Sequence, residues 1–197
     1  MSKNKGQVLV ITALITVLIM FLLAETAYIK SYEFFDTNNL NIFENMRNEL
    51  KRSGEITIWK DNYNAVYDFS NFINDKKDVE IFYSIVDFED TTLNMTVVNF
   101  LDETIHDINI SQNLTDEIDS ILLLNQDASD SVDFTWSPGP ETIFEVNISY
   151  NGSVSGITNH TFTATAGPER YMTIFYDFKL NYGESYVSDI FSVSGKK

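Results

Sequence analysis

The hydrophobic pattern of this chain changes character twice, and each change marks a different kind of element. Val8 to Ala24 reads VLVITALITVLIMFLLA, an apolar run whose only polar members, Thr12 and Thr16, can bond back to helical carbonyls. At about 1.5 Å per residue such a helix just spans a bilayer's hydrocarbon core. Beyond Glu25 the apolar residues Tyr28, Tyr32, Phe35, Ile42, Met46 and Leu50 recur at the spacing of one helix face, which predicts an amphipathic continuation. Polar Asp36 to Asn39, followed by the Asn41 and Glu44 pair, predicts a break and a restart within it. Lys51, Arg52 and then Gly54 predict its end. Tyr63, Val66, Tyr67, Phe69, Phe72 and Ile73 place a second, shorter helix within residues 62–76.

From Val79 the period becomes two. Val79, Ile81, Tyr83 and Ile85 alternate with polar or smaller residues, as do Phe144, Val146, Ile148 and Tyr150, and most clearly Met172, Ile174, Tyr176, Phe178 and Leu180. These segments predict half-buried strands. Further strands are expected at 93–100, 104–110, 118–124, 131–136, 157–164 and 186–193, separated by turn chemistry such as Ser137-Pro138-Gly139-Pro140 and Asn151-Gly152. Seven to nine short strands at this spacing predict an antiparallel sandwich of immunoglobulin-like architecture, without the cysteines of true immunoglobulin domains.

Composition narrows the setting. The chain carries 29 acidic against 13 basic residues, a net charge of -16, and such a surface repels nucleic-acid phosphates. There is no cysteine, so neither a disulfide framework nor a thiolate metal site exists. Lys3 and Lys5 precede the apolar run and Glu25 follows it, which predicts a cytoplasmic N-terminus and an exterior C-terminal domain. Leu23 to Ala27 lacks a small-x-small cleavage pattern, so the run is expected to remain as an anchor.

The triplet Lys5, Gly6, Gln7 directly before that run resembles the class III, prepilin-type signal of archaeal type IV pilin-like proteins. The resemblance covers about the first thirty residues. It implies cleavage after Gly6 on the cytoplasmic side, with Lys5 and Gly6 as recognition pair, Gln7 as the new N-terminus and the helix retained. At the fifth mature position, where filament-forming pilins usually carry Glu, this chain has Ile11.

Six N-glycosylation sequons begin at Asn94, Asn109, Asn113, Asn147, Asn151 and Asn159, all within the predicted sandwich. Asn94, Asn109 and Asn147 each sit between two apolar neighbours, so strand alternation aims them at solvent.

No residue pattern names a reaction. His106 and His160 fall in predicted strands without ligand spacing, and Gly152 to Gly156 lacks the flanking glycines of a nucleophile elbow. Asn125, Asp127, Ser129, Asp130 and Asp133 space oxygens as a calcium loop would, but Asp130 stands where such a loop needs Gly and Trp136 where it needs Glu. Asp87, Glu89 and Asp90 read as a hairpin turn, and Trp59, Trp136 and Tyr150 as aromatics able to stack on sugars.

The expectation is an α+β chain. Residues 1–6 form a basic cytoplasmic leader, 7–53 a transmembrane helix with its amphipathic extension, and 54–197 an extracellular sandwich. Its expected role is that of a non-catalytic, pilin-like surface protein, without metal or cofactor, single-pass in the cell membrane. Like subunits in a filament or other surface proteins are the expected partners, and nucleic acid is excluded. The alternative is a monotopic module that recognises cell-wall glycan, the surface layer or a motility machine.

Overall fold

Two-residue alternation builds two antiparallel sheets here, and helical periodicity builds a layer over one of them. The computed structural model describes residues 39–197 apart from 76, 77, 138 and 184. Lys5, Gly6, Gln7, Ile11 and the apolar run Val8 to Ala24 lie outside the described residues. Among the described residues no helix is long and apolar enough to cross a membrane. Phe43–Lys197 forms one compact unit.

Helix α1 covers residues 39–60 and α2 covers Asn64–Asn74. The strands are β1 Val79–Glu89, β2 Thr92–Phe100, β3 Ile105–Gln112, β4 Ile118–Leu124, β5 Ala128–Thr135, β6 Thr142–Gly152, β7 Gly156–Ala166, β8 Tyr171–Tyr182 and β9 Ser185–Lys196. Their order is β5-β2-β1-β8-β9 in one sheet and β4-β3-β6-β7 in the other. The two sheets enclose a core that includes Phe82, Val86 and Phe88 from β1, Val146 and Ile148 from β6, and Phe162 and Phe175, whose rings stack at 4.6 Å.

All nine expected strands are present, but β1 and β8 are not half-buried. Both are buried along nearly their whole length. The alternating residues that made them legible, among them Ile81, Tyr83, Ile174, Tyr176 and Phe178, have the parity opposite to the sandwich core and lie on the helix side. Phe178 stacks on Phe43 of α1 at 4.8 Å, and the Tyr176 hydroxyl donates to the Leu50 carbonyl of α1 at 3.2 Å. Across the sheet, Tyr67 of α2 packs against Phe100 of β2 at 5.3 Å.

The expected helix end near Lys51 to Gly54 is also corrected, because α1 runs on to residue 60. Gly54 is not a cap but a point of close approach. A Cβ there would lie 2.6 Å from the Tyr176 hydroxyl oxygen. Ser53, Gly54, Thr57 and Ile58 continue the buried face of Phe43 and Leu50 with mostly small side chains, which lets the helix sit tightly on β8 and β9. Of the expected break at 36–39, residue 39 is helical and 36–38 lie outside the described residues.

Candidate glycan-bearing face

A sequon laid in a strand places its Asn and its Ser or Thr on the same side, because they are two residues apart. Three of the six sequons lie in neighbouring strands of the four-stranded sheet, and the antiparallel register pairs each Asn with a hydroxyl residue. Asn109 faces Ser149 and Ser111 faces Asn147 between β3 and β6, while Asn147 faces Thr161 and Ser149 faces Asn159 between β6 and β7. The inward partners Ile110, Ile148 and His160 are buried. The result is a checkerboard of amides and hydroxyls around a groove of about 410 Å³ lined by Asn109, Ser111, Asn147, Ser149, Asn159 and Thr161.

Two further sequons extend the pattern. Asn151 follows Ser149 with the same parity on β6 and is exposed. Asn113, just past β3, donates its backbone N–H to the Glu145 carbonyl at 3.2 Å, while its side-chain oxygen accepts the Glu145 N–H at 2.7 Å. Five of the six sequons thus gather on the outer face of one sheet, on the side of the sandwich away from the helices. The sixth, Asn94, stands on β2 in the other sheet, opposite Asp87 of β1 and Asp133 of β5. It is half-buried and donates to the Asp133 carboxylate at 2.8 Å.

The remaining candidate residues are dispersed. Asn125 and Asp127 lie in the β4–β5 turn, and Ser129, Asp130 and Asp133 run along β5. Among the described residues no three His, Asp or Glu side chains are placed to hold a metal ion. His106 lies on β3, whereas His160 is 4% exposed and packs on Phe82, with ring centroids 5.0 Å apart. Burial pushes the His160 imidazole down to about 4, so it is neutral near pH 7. Burial also raises the Asp177 carboxyl, which lies 3.6 Å from His160. Of the sugar-stacking aromatics, Tyr150 is buried and Trp136 packs edge-on against Phe88, but Trp59 is 78% exposed.

The Gly152 to Gly156 segment is the β6–β7 turn, and its amides are taken up by Glu103. That carboxylate accepts the Val154 N–H at 2.5 Å and the Ser155 N–H at 3.2 Å. Desolvation alone would raise the Glu103 carboxyl, but the hydrogen bonds from residues 153–155 outweigh it and hold the group below its ordinary value.

One cluster left no trace in the sequence pattern. Asp87 is not in the β1–β2 turn but in β1, 5% exposed, where it accepts from Arg170 Nε at 3.0 Å and from the Tyr63 hydroxyl. Arg170 also reaches Asp61 at 2.9 Å, and Asp61 pairs with Lys197. The hydrogen bonds to Asp87 hold the Arg170 guanidinium firmly protonated, and the Lys197 ammonium leads in keeping the Asp61 carboxyl below its usual range. Residues from the α1–α2 junction, β1, the start of β8 and the C-terminus meet there. Arg170 and Asp61 are 109 residues apart and Lys197 lies further still along the chain, so no local spacing announces them. No protein-family model, curated protein or solved structure matches this chain.

Proposed function

We propose that this chain is a non-catalytic, pilin-like cell-surface protein with a structural or interaction role. Its Val8 to Ala24 segment holds it in the cell membrane after cleavage between Gly6 and Gln7, and its sandwich stands outside as a glycosylated domain. Like subunits or other surface proteins are its partners.

The observation that carries this reading is the gathering of five sequons on one outward sheet face. The positive-inside argument and the sequons share no premise, yet both agree with an exterior domain. The face also lies on the opposite side of the sandwich from α1, so a glycan coat leaves the helix layer uncovered. Ile11, in place of the usual Glu, favours a minor or accessory subunit over a bulk filament subunit, because the carboxylate that would offset a neighbour's terminal amine is missing.

An immunoglobulin-like architecture is part of the proposal. Its support is the pairing of the first seven strands: β1-β2-β5 against β3-β6-β7 matches the A-B-E and C-F-G neighbours of that architecture, with β4 joined to β3. The β8–β9 hairpin extends the first sheet beyond β1. A second reading, a monotopic module that recognises cell-wall glycan, draws on the exposure of Trp59 alone.

N-terminal sequencing of the mature protein tests the proposal. Gln7 as first residue is the expected result. Met1 or Ser2 would overturn the pilin-type processing but keep the anchor, and a start near Thr26 would overturn both.

A further inference from the structure

All six sequons meet the same Asn-x-Ser/Thr rule, three with Thr and three with Ser, but the fold sorts them into two groups that cut across that difference. We propose that sugar is transferred onto the folded sandwich, that Asn109, Asn113, Asn151 and Asn159 are the modified residues, and that Asn94 and Asn147 stay bare. This inference rests on the glycoprotein reading above and sharpens it.

Transfer forms a bond from the asparagine side-chain nitrogen to the anomeric carbon of a sugar carried on a lipid-linked phosphate or pyrophosphate donor. That carbon's bond to the phosphate oxygen breaks so that the phosphate leaves, and the amide proton passes to a base of the transferring enzyme. The asparagine must enter the enzyme site together with the hydroxyl two residues on. Asn113, Asn151, Asn109 and Asn159 are exposed, whereas Asn94 and Asn147 are half-buried. Their strand settings differ in the same direction. Asn159 lies on β7, an edge strand, Asn151 adjoins the β6–β7 turn, and Asn113 lies beyond the end of β3. Asn109 is next to a break in register between β3 and β6, where Asp107 adopts a positive φ of 51° and its carbonyl accepts the Asn109 amide at 3.0 Å in an exposed local bond. By contrast, β2 is paired in unbroken register around Asn94 on both edges, and β6 likewise around Asn147.

At the two bare sites the amide is also held by a side chain of the neighbouring strand, whereas Asn109 and Asn113 bond only to backbone. The Asn94 nitrogen donates to Asp133 at 2.8 Å, and its oxygen accepts the hydroxyl of Thr96, the hydroxyl residue of its own sequon, at 3.1 Å. The Asn147 oxygen accepts the Thr161 hydroxyl at 2.7 Å. Thr161 is the hydroxyl residue of the Asn159 sequon, whereas the Asn147 sequon uses Ser149. Crowding acts in the same sense. Asn147 is the diagonal neighbour of three other sequon asparagines, Asn109, Asn113 and Asn159, at about 7–8 Å in an antiparallel lattice, whereas Asn151 has Asn159 alone at that spacing. Asn109 and Asn159 are two strands apart, about 10 Å, and both can carry sugar.

Site-by-site glycopeptide mapping of the full chain from its native host tests this, with Asn147→Gln and Asn159→Gln variants alongside. Sugar on Asn109, Asn113, Asn151 and Asn159 and none on Asn94 or Asn147 is the expected result. The number of glycans should be unchanged in Asn147→Gln and one fewer in Asn159→Gln. Sugar on Asn94 or Asn147 at an occupancy matching the other four would overturn the inference while leaving the glycoprotein reading intact. Bare polypeptide mass at all six sites would instead overturn that reading, and the inference with it.

Discussion

Replacing Gly54 with alanine sets two well-measured effects against each other. In an ordinary helix interior the change is worth about 1 kcal/mol of added stability, because alanine loses less backbone entropy. Here the new methyl would sit 2.6 Å from the Tyr176 hydroxyl oxygen, against an ordinary contact of about 3.5 Å. The ring cannot easily give way: Tyr176 is fully buried, stacked on Phe191 at 4.8 Å, and its hydroxyl donates to the Leu50 carbonyl. Overpacking of this kind costs about 1–3 kcal/mol, and a weakened buried hydrogen bond adds about 1 kcal/mol. After the helix gain is subtracted, Gly54→Ala should lose about 2 kcal/mol, or about 4–8 °C in Tm for a chain of this size.

The decisive assay repeats the substitution in a Tyr176→Phe background, by urea unfolding of the full chain. With the oxygen gone, the nearest atoms to the methyl are the Tyr176 ring carbon at 3.6 Å and Ile174 at 3.7 Å, both ordinary contacts. Alanine should then stabilise by about 1 kcal/mol, so the sign reverses and the coupling is about 3 kcal/mol. Two effects that simply add, to within about 0.5 kcal/mol, would refute the close-approach explanation of this glycine.

The other expectations concern charge. His160 has a folded-state pKa below its unfolded one, so the unfolded chain binds the proton first and stability falls as pH drops from 6.5 toward about 4. The loss amounts to at most about 3 kcal/mol, and protonation of Asp177, whose carboxyl is raised by burial, returns part of it at lower pH. Glu80 and Lys179 are the charged side chains beside Asp177, the Tyr150 hydroxyl lies 3.4 Å from His160, and His160→Gln should flatten the slope of urea midpoint against pH in that window. An unchanged slope would show that His160 is not its source. Arg170→Ala strands the buried Asp87 carboxylate and should cost about 2–3 kcal/mol, whereas Arg170→Ala with Asp87→Asn should cost clearly less. Equal costs in the same unfolding assay would mean that the ion pair is not what holds the α1–α2 junction to the sheet.

Local pattern was sufficient for the strands, because side chains two apart share one face of a sheet and leave a period of two in the sequence. It was misleading about what covers them. The alternation of Met172 to Leu180 reflects burial under α1, and the sandwich core takes the other parity through Tyr171 and Phe175. Lys51, Arg52 and Gly54 resemble a helix end because glycine often serves there, but a close tertiary neighbour also selects glycine, and that neighbour lies 122 positions away at Tyr176.

The sequons show the same division. Their existence and outward parity follow from the sequence alone, since a two-residue repeat fixes which side chains share a face. Which of them meet is a matter of register, and register depends on pairing between distant strands, as Asn147 against Thr161 and Ser111 shows. The Arg170, Asp87, Tyr63 and Asp61 cluster belongs wholly to the tertiary structure, because its charges compensate one another only once three remote segments have converged. Periodicity and residue type are properties of neighbours along the chain, whereas compensation of buried charge and close backbone approach are properties of neighbours in space.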